Sequence, residues 1–559
     1  MTWSLFLLFA SPGFPLCLSA LALIPGMRRH LPAFLPLAPI PGLTSAVLIP
    51  SDISASLPRT FLGAGLMLDD FSRIFLGIAA LLWCLAGVYA MRSIRDQGRE
   101  RFCGFWLATL SGNLLLLVAA DAVTFILSFA VLSFAAFGLV IHRGTENARR
   151  AARIYLILAV FGETCLLLSF MIAIGESGSP LIESLRSTIS TSQHRNLIIS
   201  LMLAGFGLKA GVVPLHTWLP LAHPEAPAPA SAVLSGAIVK AGIFGLARFL
   251  PLDTDLTGWG MILVWLGLFT AYYAVVVGVP QTRPKTVLAY STISQMGLLL
   301  AVLGSGLASH TPALVLGAIG LHAAHHSLAK GALFMSVENF GSADSSKNRV
   351  IYLATMFVAL SIAGFPLTGG ALAKLAIKEP VGGGVVGVLI AISAIGTTLL
   401  MFRFLKLVQR QTGHSTQRST LFPFITCVIA AFLLPWLLVT EVPQLSIAYA
   451  LNLENLWSGL WPIMVAAAVM MIMTYFSERL IIHIPEGDII VLFERIWNRI
   501  CDISLIINRL DKRYLFLSYS QASFGSFTGE KIDTLLSQWA ISGTILLLIA
   551  VFMFSITFF

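Results

Sequence analysis

The stretch KAGVVPLHTWLPLAHPEAPAPASAVLSGAIVKAGIFGLAR, residues 209–248, contains two lysines in surroundings that are otherwise apolar enough to cross a membrane. A charge at the centre of a bilayer costs at least roughly 2.5–3.5 kcal/mol, so it is retained mainly where it faces a polar interior. Lys209 lies shortly before Pro214, and a proline inside a helix removes a backbone hydrogen bond and unwinds the helix locally. The stretch therefore predicts a broken helix beside a buried lysine. The alternative is that Lys209 extends its ammonium group to the membrane interface.

Two further lysines, Lys330 and Lys374, lie in apolar segments later in the chain. Lys374 follows GFPLTGG (364–370), which is a second helix-breaking run. Interrupted helices in corresponding positions of two halves of a chain are the best sequence indication of a transport site. The four lysines therefore indicate an ion path, in which Lys240 connects Lys209 to Lys330 and Lys374 ends the path.

A histidine stripe precedes Lys330. His322, His326 and Lys330 are spaced four residues apart, which places them on one face of a helix. Histidine titrates near neutral pH, so the stripe predicts a proton relay. The alternatives are hydrogen-bonded core histidines, or a metal pair, since histidines at this spacing can bind zinc. Because no carboxylate or thiolate lies nearby in sequence, neither a metal nor another cofactor is predicted.

Glu163, within LAVFGETCLLL (158–168), is the one carboxylate clearly inside an apolar segment. A buried charge is stable mainly when it is paired, so a lysine partner is predicted for it. His216 and His223, in the loop after the first break, are either groups that load the ion path or interfacial side chains. The interfacial interpretation is favoured.

Composition defines the class of protein. The 559 residues are 57% hydrophobic and 11% charged, whereas soluble domains carry about 25% charged residues. The chain is therefore predicted to be an all-α polytopic membrane protein in contact with the lipid bilayer. None of the six cysteines forms a C-x-x-C pair, so no redox centre is predicted in the chain itself. The net charge of +9 is attributed to membrane topology, not to nucleic acid.

About sixteen transmembrane helices are predicted, since a span needs about 20 mostly apolar residues. They lie near residues 4–25, 31–50, 66–91, 103–120, 122–141, 151–174, 196–213, 228–250, 258–279, 286–306, 311–337, 350–376, 382–402, 420–440, 458–477 and 537–558. Most of the 35 lysines and arginines then lie in loops after odd-numbered spans, which assigns those loops to the cytoplasm. The predicted location is the cell inner membrane, with both termini on its outer face.

An amphipathic helix is predicted before the last span, because charged and apolar residues alternate at helical spacing in 488–514. It lies either flat on the lipid or along a partner subunit.

Four motifs carry a family resemblance: residues 209–248, PKTVLAYSTISQMG (284–297), HAAHHSLAKGALF (322–334) and GFPLTGGALAK (364–374). They resemble the antiporter-like proton-translocating subunits of respiratory complex I, Mrp-type sodium/proton antiporters and group-4 hydrogenases. The branch that contains the membrane subunits of hydrogenase-4 and formate hydrogenlyase looks most similar. The resemblance covers about 60–410 and implies two inverted five-helix repeats with broken helices and a C-terminal lateral helix.

The implied division has six parts. They are N-terminal transmembrane helices (1–100), a first repeat (101–250), a second repeat (258–410), additional transmembrane helices (411–480), a cytoplasmic-face amphipathic helix (481–535) and a final transmembrane helix (536–559).

Carried over by position, the resemblance assigns a proton path to seven residues: Glu163, Lys209, Lys240, His322, His326, Lys330 and Lys374. One departure stands out. Family members usually pair the broken-helix lysine with a glutamate in a W-E-L-type sequence, and Ala130 of FAVLSFAAF (129–137) takes that place here. We hypothesise that Glu163 has become the partner of Lys209.

The leading functional interpretation is a proton-conducting subunit of a redox-driven membrane complex of the NADH:quinone oxidoreductase or group-4 hydrogenase type. Its predicted partners are other membrane subunits together with hydrophilic redox subunits. One alternative is a secondary ion transporter of an Mrp-like or anion-uptake assembly. A second alternative, motivated by Ala130, is a membrane scaffold that no longer pumps.

Overall fold

The computed structural model describes residues 3–57, 64–95, 98–309, 311–340, 345–410, 418–443, 445–476, 484–491, 494 and 496. Five helices form the N-terminal part: α1 (Trp3–Leu21), α2 (Pro25–Arg28), α3 (Leu31–Phe34), α4 (Ile40–Leu48) and α5 (Asp70–Ser93). A short antiparallel hairpin of β1 (Ile53–Leu57) and β2 (Ala64–Leu68) lies between α4 and α5, with Ile53 opposite Leu68. The sequence patterns did not predict this hairpin.

The region of the predicted first repeat contains eight α-helices and one π-helical turn. They are α6 (Arg99–Val118), α7 (Ala122–Val140), α8 (Glu146–Ser177), α9 (Ile182–Thr191), α10 (Arg195–Ala210), α11 (Trp218–Glu225), α12 (Ala228–Val233), the π-helical turn Leu234–Ile238 and α13 (Lys240–Phe249). A short 3-10 turn, Ile141–Arg143, extends α7.

The region of the predicted second repeat and the helices after it follow the same pattern of long apolar elements. They are α14 (Thr257–Gly278), α15 (Pro284–Ser309), α16 (Pro312–Val337), α17 (Ser345–Ala363), α18 (Gly369–Val381), α19 (Gly384–Gln409), α20 (Arg418–Leu437), α21 (Ile447–Ala450) and α22 (Leu453–Phe476). A 3-10 turn, Val439–Glu441, follows α20.

Eleven helices in the described part of the chain are long and apolar enough to cross a membrane. They are α1, α5, α6, α7, α8, the continuous unit from α12 to α13, α14, α15, α19, α20 and α22. The predicted all-α polytopic fold is confirmed, and the predicted count of sixteen is consistent with the helices observed. The last predicted span and most of the predicted amphipathic helix lie outside the described residues.

The second predicted span, 31–50, is wrong as one continuous helix. The structure divides it into α3 and α4, separated by a run of turns. Four prolines lie in this segment, at 32, 36, 39 and 41. Because each proline removes a backbone N–H and clashes with the preceding turn, prolines as closely spaced as these interrupt the helix.

Both predicted breaks are present. After α10 the chain turns through Gly211, whose φ of +79° lies in the left-handed region, and α11 begins only at Trp218. After α17 it turns through Gly364, whose φ is +91°, and α18 begins at Gly369. Glycine adopts these angles without the steric penalty that a Cβ atom imposes. The two breaks therefore expose backbone groups inside the bundle.

Helices α14 and α15 pack backbone against backbone. A Cβ atom added to Gly267 would lie 2.5 Å from the Gly297 carbonyl oxygen, and one added to Gly304 would lie 2.5 Å from that of Gly260. Apolar lipid does not drive helices together, so membrane helices associate through close packing at small residues. These glycines hold α15, which carries much of the functional site, tightly in place.

Candidate functional site

The central contact joins the two halves of the chain. Lys240 begins α13 and is 2% exposed, and its Nζ atom lies 2.8 Å from Nδ1 of His326 on α16. The same ammonium group donates to the Ser235 carbonyl oxygen at 2.7 Å. Ser235 belongs to the π-helical turn before α13, and such turns occur frequently at functional sites. Lys240 was predicted to connect Lys209 to Lys330, and its hydrogen-bonding partners among the described residues are instead Ser235 and His326.

Two of the predicted relay histidines are stacked. The rings of His322 and His326 have centroids 6.0 Å apart and an angle of 19° between their planes. His322 has no hydrogen-bonding partner for either ring nitrogen among the described residues, and His326 has none for Nε2. Buried polar atoms are usually paired, so these three ring nitrogens lack the partners that core histidines normally have.

His325, which the sequence analysis did not assign to the path, has a different partner. Its Nε2 atom lies 2.8 Å from the Ser361 hydroxyl oxygen on α17. Ser361 also accepts a hydrogen bond from the backbone N–H of Gly370, across the second break. His325 thus ties the histidine helix to the break that precedes Lys374.

Lys330 is fully buried and hydrogen-bonds α15 instead of the histidines. Its Nζ atom donates to the Leu288 carbonyl oxygen at 2.9 Å and to the Ser291 hydroxyl, both on α15. No hydrogen bond joins Lys330 to His326 in the part of the chain that the structure describes. The predicted single stripe is therefore divided between two neighbours, with His326 contacting Lys240 and Lys330 contacting α15.

Hydroxyl groups on α15 connect the two lysines indirectly. The Ser235 hydroxyl lies 2.7 Å from the Thr292 hydroxyl, and Thr292 donates to the Leu288 carbonyl oxygen at 3.0 Å. That carbonyl also accepts from Lys330. Sequence reasoning did not assign these hydroxyls, although the polar run STIS (291–294) inside an apolar helix was a usable signal.

Lys209 is 2% exposed, which argues against an ammonium group that extends to the interface. Its Nζ atom donates to the Ser133 hydroxyl at 2.5 Å and lies 3.4 Å from the Tyr155 hydroxyl. It also lies 4.9 Å from the centre of the Phe129 ring, within the range of a cation–π interaction. Helices α7 and α8 therefore supply a polar and aromatic cage for this lysine.

The predicted partner of Lys209, Glu163, lies on α8 within electrostatic range of the lysine and of Ser133. No direct ion pair joins the two within the described residues, and the buried Oε1 atom of Glu163 has no hydrogen-bonding partner there. Ser133 follows Ala130 by three residues, so both lie on nearly the same face of α7. A serine therefore contacts the lysine beside the position where the family pattern has a glutamate.

Replacing Glu163 with glutamine is expected to reduce ion flux through the chain about tenfold, equivalent to about 1.4 kcal/mol on the barrier. The reason is the loss of a negative charge that favours the protonated form of Lys209. The measurement is proton flux into liposomes that contain the purified chain. Glu176→Gln on the same helix is the matched control, since Glu176 pairs with His194 away from the path. Full flux in Glu163→Gln would exclude Glu163 as the partner.

Lys374 closes the second break. It is half-buried on α18, and its ammonium group donates to the Ala363 carbonyl oxygen at the end of α17. A Cβ atom on Gly364 would lie 2.6 Å from Cδ of Lys374, so only glycine leaves room for the lysine to cross there. No hydrogen bond between Lys374 and His322 is present among the described residues. The structure thus brings Lys240 and His326 into contact and leaves Lys209 and Lys374 at separate positions.

A charged network at one end of the bundle was missed by sequence reasoning. Lys285 on α15 lies 3.2 Å from Glu338 and donates to the Ala226 carbonyl oxygen, while Arg143 lies 3.0 Å from the same carboxylate. Burial alone would raise the pKa of Glu338, but the charges of Lys285 and Arg143 outweigh it and hold that pKa below its ordinary value. This network links the regions of the two predicted repeats.

His216 and His223 are both fully buried, which contradicts the interfacial interpretation. His216 lies 3.0 Å from Asp488, and His223 stacks on Phe334 with ring centroids 4.5 Å apart. Each side chain sits near the first break because the polypeptide folds back into the bundle between α10 and α12.

Together, the apolar helices, the two breaks and the buried lysine–histidine contact define a polytopic membrane protein with charged side chains buried in its interior. Residues 119–400 match the family described as NADH:quinone oxidoreductase/Mrp antiporter, TM, and the chain belongs to this family. The predicted family resemblance is confirmed.

Three similarities to known proteins add detail. Hydrogenase-4 component B of Escherichia coli is 32% identical over 291 residues, which cover 50% of this chain and 43% of that protein. The chain thus spans less than half the length of this relative. A Na(+)/H(+) antiporter subunit of Bacillus subtilis is 28% identical, covering 57% of this chain and 67% of that protein. A chain of the solved Mrp complex of a Dietzia species shares the fold, with a TM-score of 0.72 and 22% sequence identity. The similarity covers 94% of this chain and 64% of the Dietzia chain.

Proposed function

We propose that the chain is a proton-conducting, antiporter-like subunit of a redox-driven membrane complex. The observation that carries this proposal is the 2.8 Å contact between Lys240 and His326, which joins the two halves of the chain inside the apolar bundle. The similarity to hydrogenase-4 component B supports the redox-driven assembly. Its proposed setting is the cell inner membrane, with both termini on the outer face.

The contact suits proton transfer because of the chemistry of its two groups. A lysine side chain can give up a proton only in its charged form, whereas a neutral imidazole accepts at one nitrogen and donates at the other. Lys240 can therefore pass a proton to Nδ1 of His326, and the ring can release one from Nε2 toward His322. The unpaired nitrogens of these two rings are free to take part in that exchange.

Lys330 supplies the second charge of the path. Two ammonium groups in a low-dielectric interior repel each other, so a proton that arrives at Lys330 favours release from Lys240. Hydrogen bonds from Ser235 to Thr292, and from Thr292 to the Leu288 carbonyl oxygen, connect the turn beside Lys240 to the oxygen that Lys330 binds. Moving one charge against 100 mV requires about 2.3 kcal/mol, so a modest shift of such charges suffices to drive transport.

The proposed partners are other membrane subunits and hydrophilic subunits that carry electrons. In this proposal Lys209 and Glu163 serve the first repeat (101–250), and Lys374 serves the second (258–410). Redox chemistry elsewhere in the assembly displaces charge at one end of the membrane domain, and the coupled lysines transmit this displacement as proton movement.

A secondary sodium/proton transporter is the second candidate, favoured by the 28% identity to the Na(+)/H(+) antiporter subunit of Bacillus subtilis. The two candidates differ in the subunits that they are expected to assemble with. We therefore propose purifying the tagged chain from native membranes in mild detergent and identifying the co-purifying subunits by mass spectrometry. Iron–sulfur or nickel–iron subunits support the redox-driven complex, while membrane subunits alone support the secondary transporter.

Flux in liposomes tests conduction itself. The purified chain is reconstituted with a pH-sensitive dye inside the vesicles, and a potassium diffusion potential is imposed with valinomycin. Proton uptake above that of protein-free vesicles is expected. Uptake equal to that of empty vesicles would overturn the proposal and favour the scaffold interpretation motivated by Ala130.

A further inference from the structure

A short acidic segment, 484–491, lies against the charged end of the bundle and has no part in the path described above. Glu486 lies 3.2 Å from Arg283 and accepts a hydrogen bond from the Thr286 hydroxyl at 2.9 Å. The Gln281 amide donates to the Ile484 carbonyl oxygen at 3.3 Å. These contacts anchor the segment at the beginning of α15, far in sequence from the residues that it touches.

Asp488 is the most buried acid of this segment, with a side chain that is 6% exposed. Its Oδ2 atom lies 3.0 Å from Nε2 of His216 and accepts a hydrogen bond from the Tyr290 hydroxyl at 2.8 Å. Gly487, with a φ of +84°, forms the turn that directs Asp488 inward. A buried carboxylate is therefore placed directly against the first helix break.

One ring nitrogen of His216 is unpaired among the described residues. Its ring is fully buried, and its Nδ1 atom has no hydrogen-bonding partner among the described residues. The Tyr273 ring contacts it edge-on at 5.3 Å between centroids. An imidazole that binds a carboxylate through one nitrogen and leaves the other unpaired has the arrangement of a proton shuttle.

The same cluster and Lys330 both contact α15. Tyr290, which donates to Asp488, immediately precedes Ser291, which accepts from Lys330. Because successive residues of an α-helix are about 100° apart around its axis, the two contacts lie on different faces of α15. The titratable and charged groups around Asp488 are His216, Tyr290, Tyr273 and Glu486, and Arg283 is paired with the last of these.

We propose that Asp488, together with His216 and Tyr290, forms a proton-loading site that takes protons from water at the charged end of the bundle and delivers them into the bundle at the first helix break. The Nε2–H group of His216 donates to the ionised Asp488, and the unpaired Nδ1 atom of the same ring takes up a proton and releases it again into the bundle. Only O–H and N–H bonds change, and one proton leaves the site for each that enters. This inference rests on the proposed proton conduction.

The charge state of Asp488 suits this role. Burial raises the pKa of the Asp488 carboxyl, but the hydrogen bond and charge of His216, with the hydrogen bonds from Ile489 and Tyr290, outweigh it and leave the pKa below its ordinary value. The Asp488 carboxyl group is therefore ionised at neutral pH, and its negative charge attracts protons to the proposed loading site.

The test is proton flux in liposomes that contain the full chain, with wild type, Asp488→Asn, Asp488→Glu and Glu486→Gln compared at equal reconstituted amounts. Removing the loading carboxylate is expected to lower the flux about tenfold, since a positioned acid–base group accelerates proton transfer by at least that factor. Asp488→Glu keeps the carboxylate and is expected to restore at least half of the wild-type flux. Glu486→Gln removes the charge of a neighbouring acid of the same segment and is expected to lower the flux less than Asp488→Asn does, because the amide oxygen can still accept from Arg283 and Thr286.

The outcomes separate the two proposals. Equal loss in Asp488→Asn and Glu486→Gln, or no recovery in Asp488→Glu, would mean that the acids only anchor the segment, and the loading site would be overturned. Unchanged flux in Asp488→Asn would overturn it as well. If wild-type flux does not exceed that of empty vesicles, the failure belongs to the proposed conduction.

Discussion

Proton flux is expected to fall about 100-fold when Lys330 is replaced by alanine, since a positioned acid–base group accelerates proton transfer by about that factor. Lys330 is fully buried, and its ammonium group contacts only α15 groups among the described residues. Alanine removes both the charge and the exchangeable proton at the centre of the path. The measurement is dye-reported proton uptake into liposomes at a fixed imposed potential.

Lys330→Arg provides a sharper version of this experiment. Arginine keeps the positive charge but does not release its proton in proteins, so its flux is expected to be as low as that of Lys330→Ala. Lys378→Ala on α18 is the control, because Lys378 is exposed and lies outside the path. Wild-type flux in Lys330→Ala would refute the relay, and wild-type flux in Lys330→Arg alone would show that charge, not proton exchange, is required.

Replacing Gly242 with alanine is expected to lower the free energy of unfolding by about 1–3 kcal/mol, the usual effect of overpacking a tight interface. A Cβ atom at Gly242 would lie 2.3 Å from the Phe206 carbonyl oxygen and 2.6 Å from the Ala210 backbone nitrogen. Both atoms belong to the backbone of α10, so α13 must move away. Because these helices carry Lys209 and Lys240, flux is expected to fall together with stability.

Gly175→Ala on α8 is the matched control for this substitution. Nothing lies within 4 Å of a Cβ atom added there, so alanine is expected to stabilise its helix by up to about 1 kcal/mol. Thermal unfolding in detergent, followed by circular dichroism, should therefore shift in opposite directions for the two variants. A Gly242→Ala protein as stable as wild type would contradict the close helix contact.

Local chemistry explains which features were predictable. Transfer of apolar side chains into lipid depends on each segment alone, so the spans and the all-α fold follow from hydropathy. The same holds for the breaks at Gly211 and Gly364, since backbone sterics depend on neighbours in the chain. The prolines of 31–50 show the limit of hydropathy, because that segment is apolar enough to span but is divided into α3 and α4.

Contacts between distant segments were not predictable in this way. Helical spacing placed His326 and Lys330 on one face, but the structure turns His326 toward Lys240 and Lys330 toward α15. Glu163 was expected to be the partner of Lys209, and it lies within electrostatic range of the lysine, but the hydrogen bond of the lysine goes to the Ser133 hydroxyl. A shared helix face does not decide which neighbour each side chain meets, because that depends on how adjacent helices are rotated.

The amino-acid sequence alone determines the hydropathy and the backbone sterics of each segment. These two properties establish that the chain crosses the membrane many times, that two of its helices break and that four lysines lie in apolar surroundings. The folded bundle was needed to show that Lys240 meets His326, that α15 hydroxyls adjoin Lys330 and that Asp488 reaches His216. The sequence predicts the first set of features and not the second because membrane insertion of a helix and the break within it are each properties of a single segment. Pairing of polar groups depends instead on close helix packing, which residues remote from one another in sequence establish together.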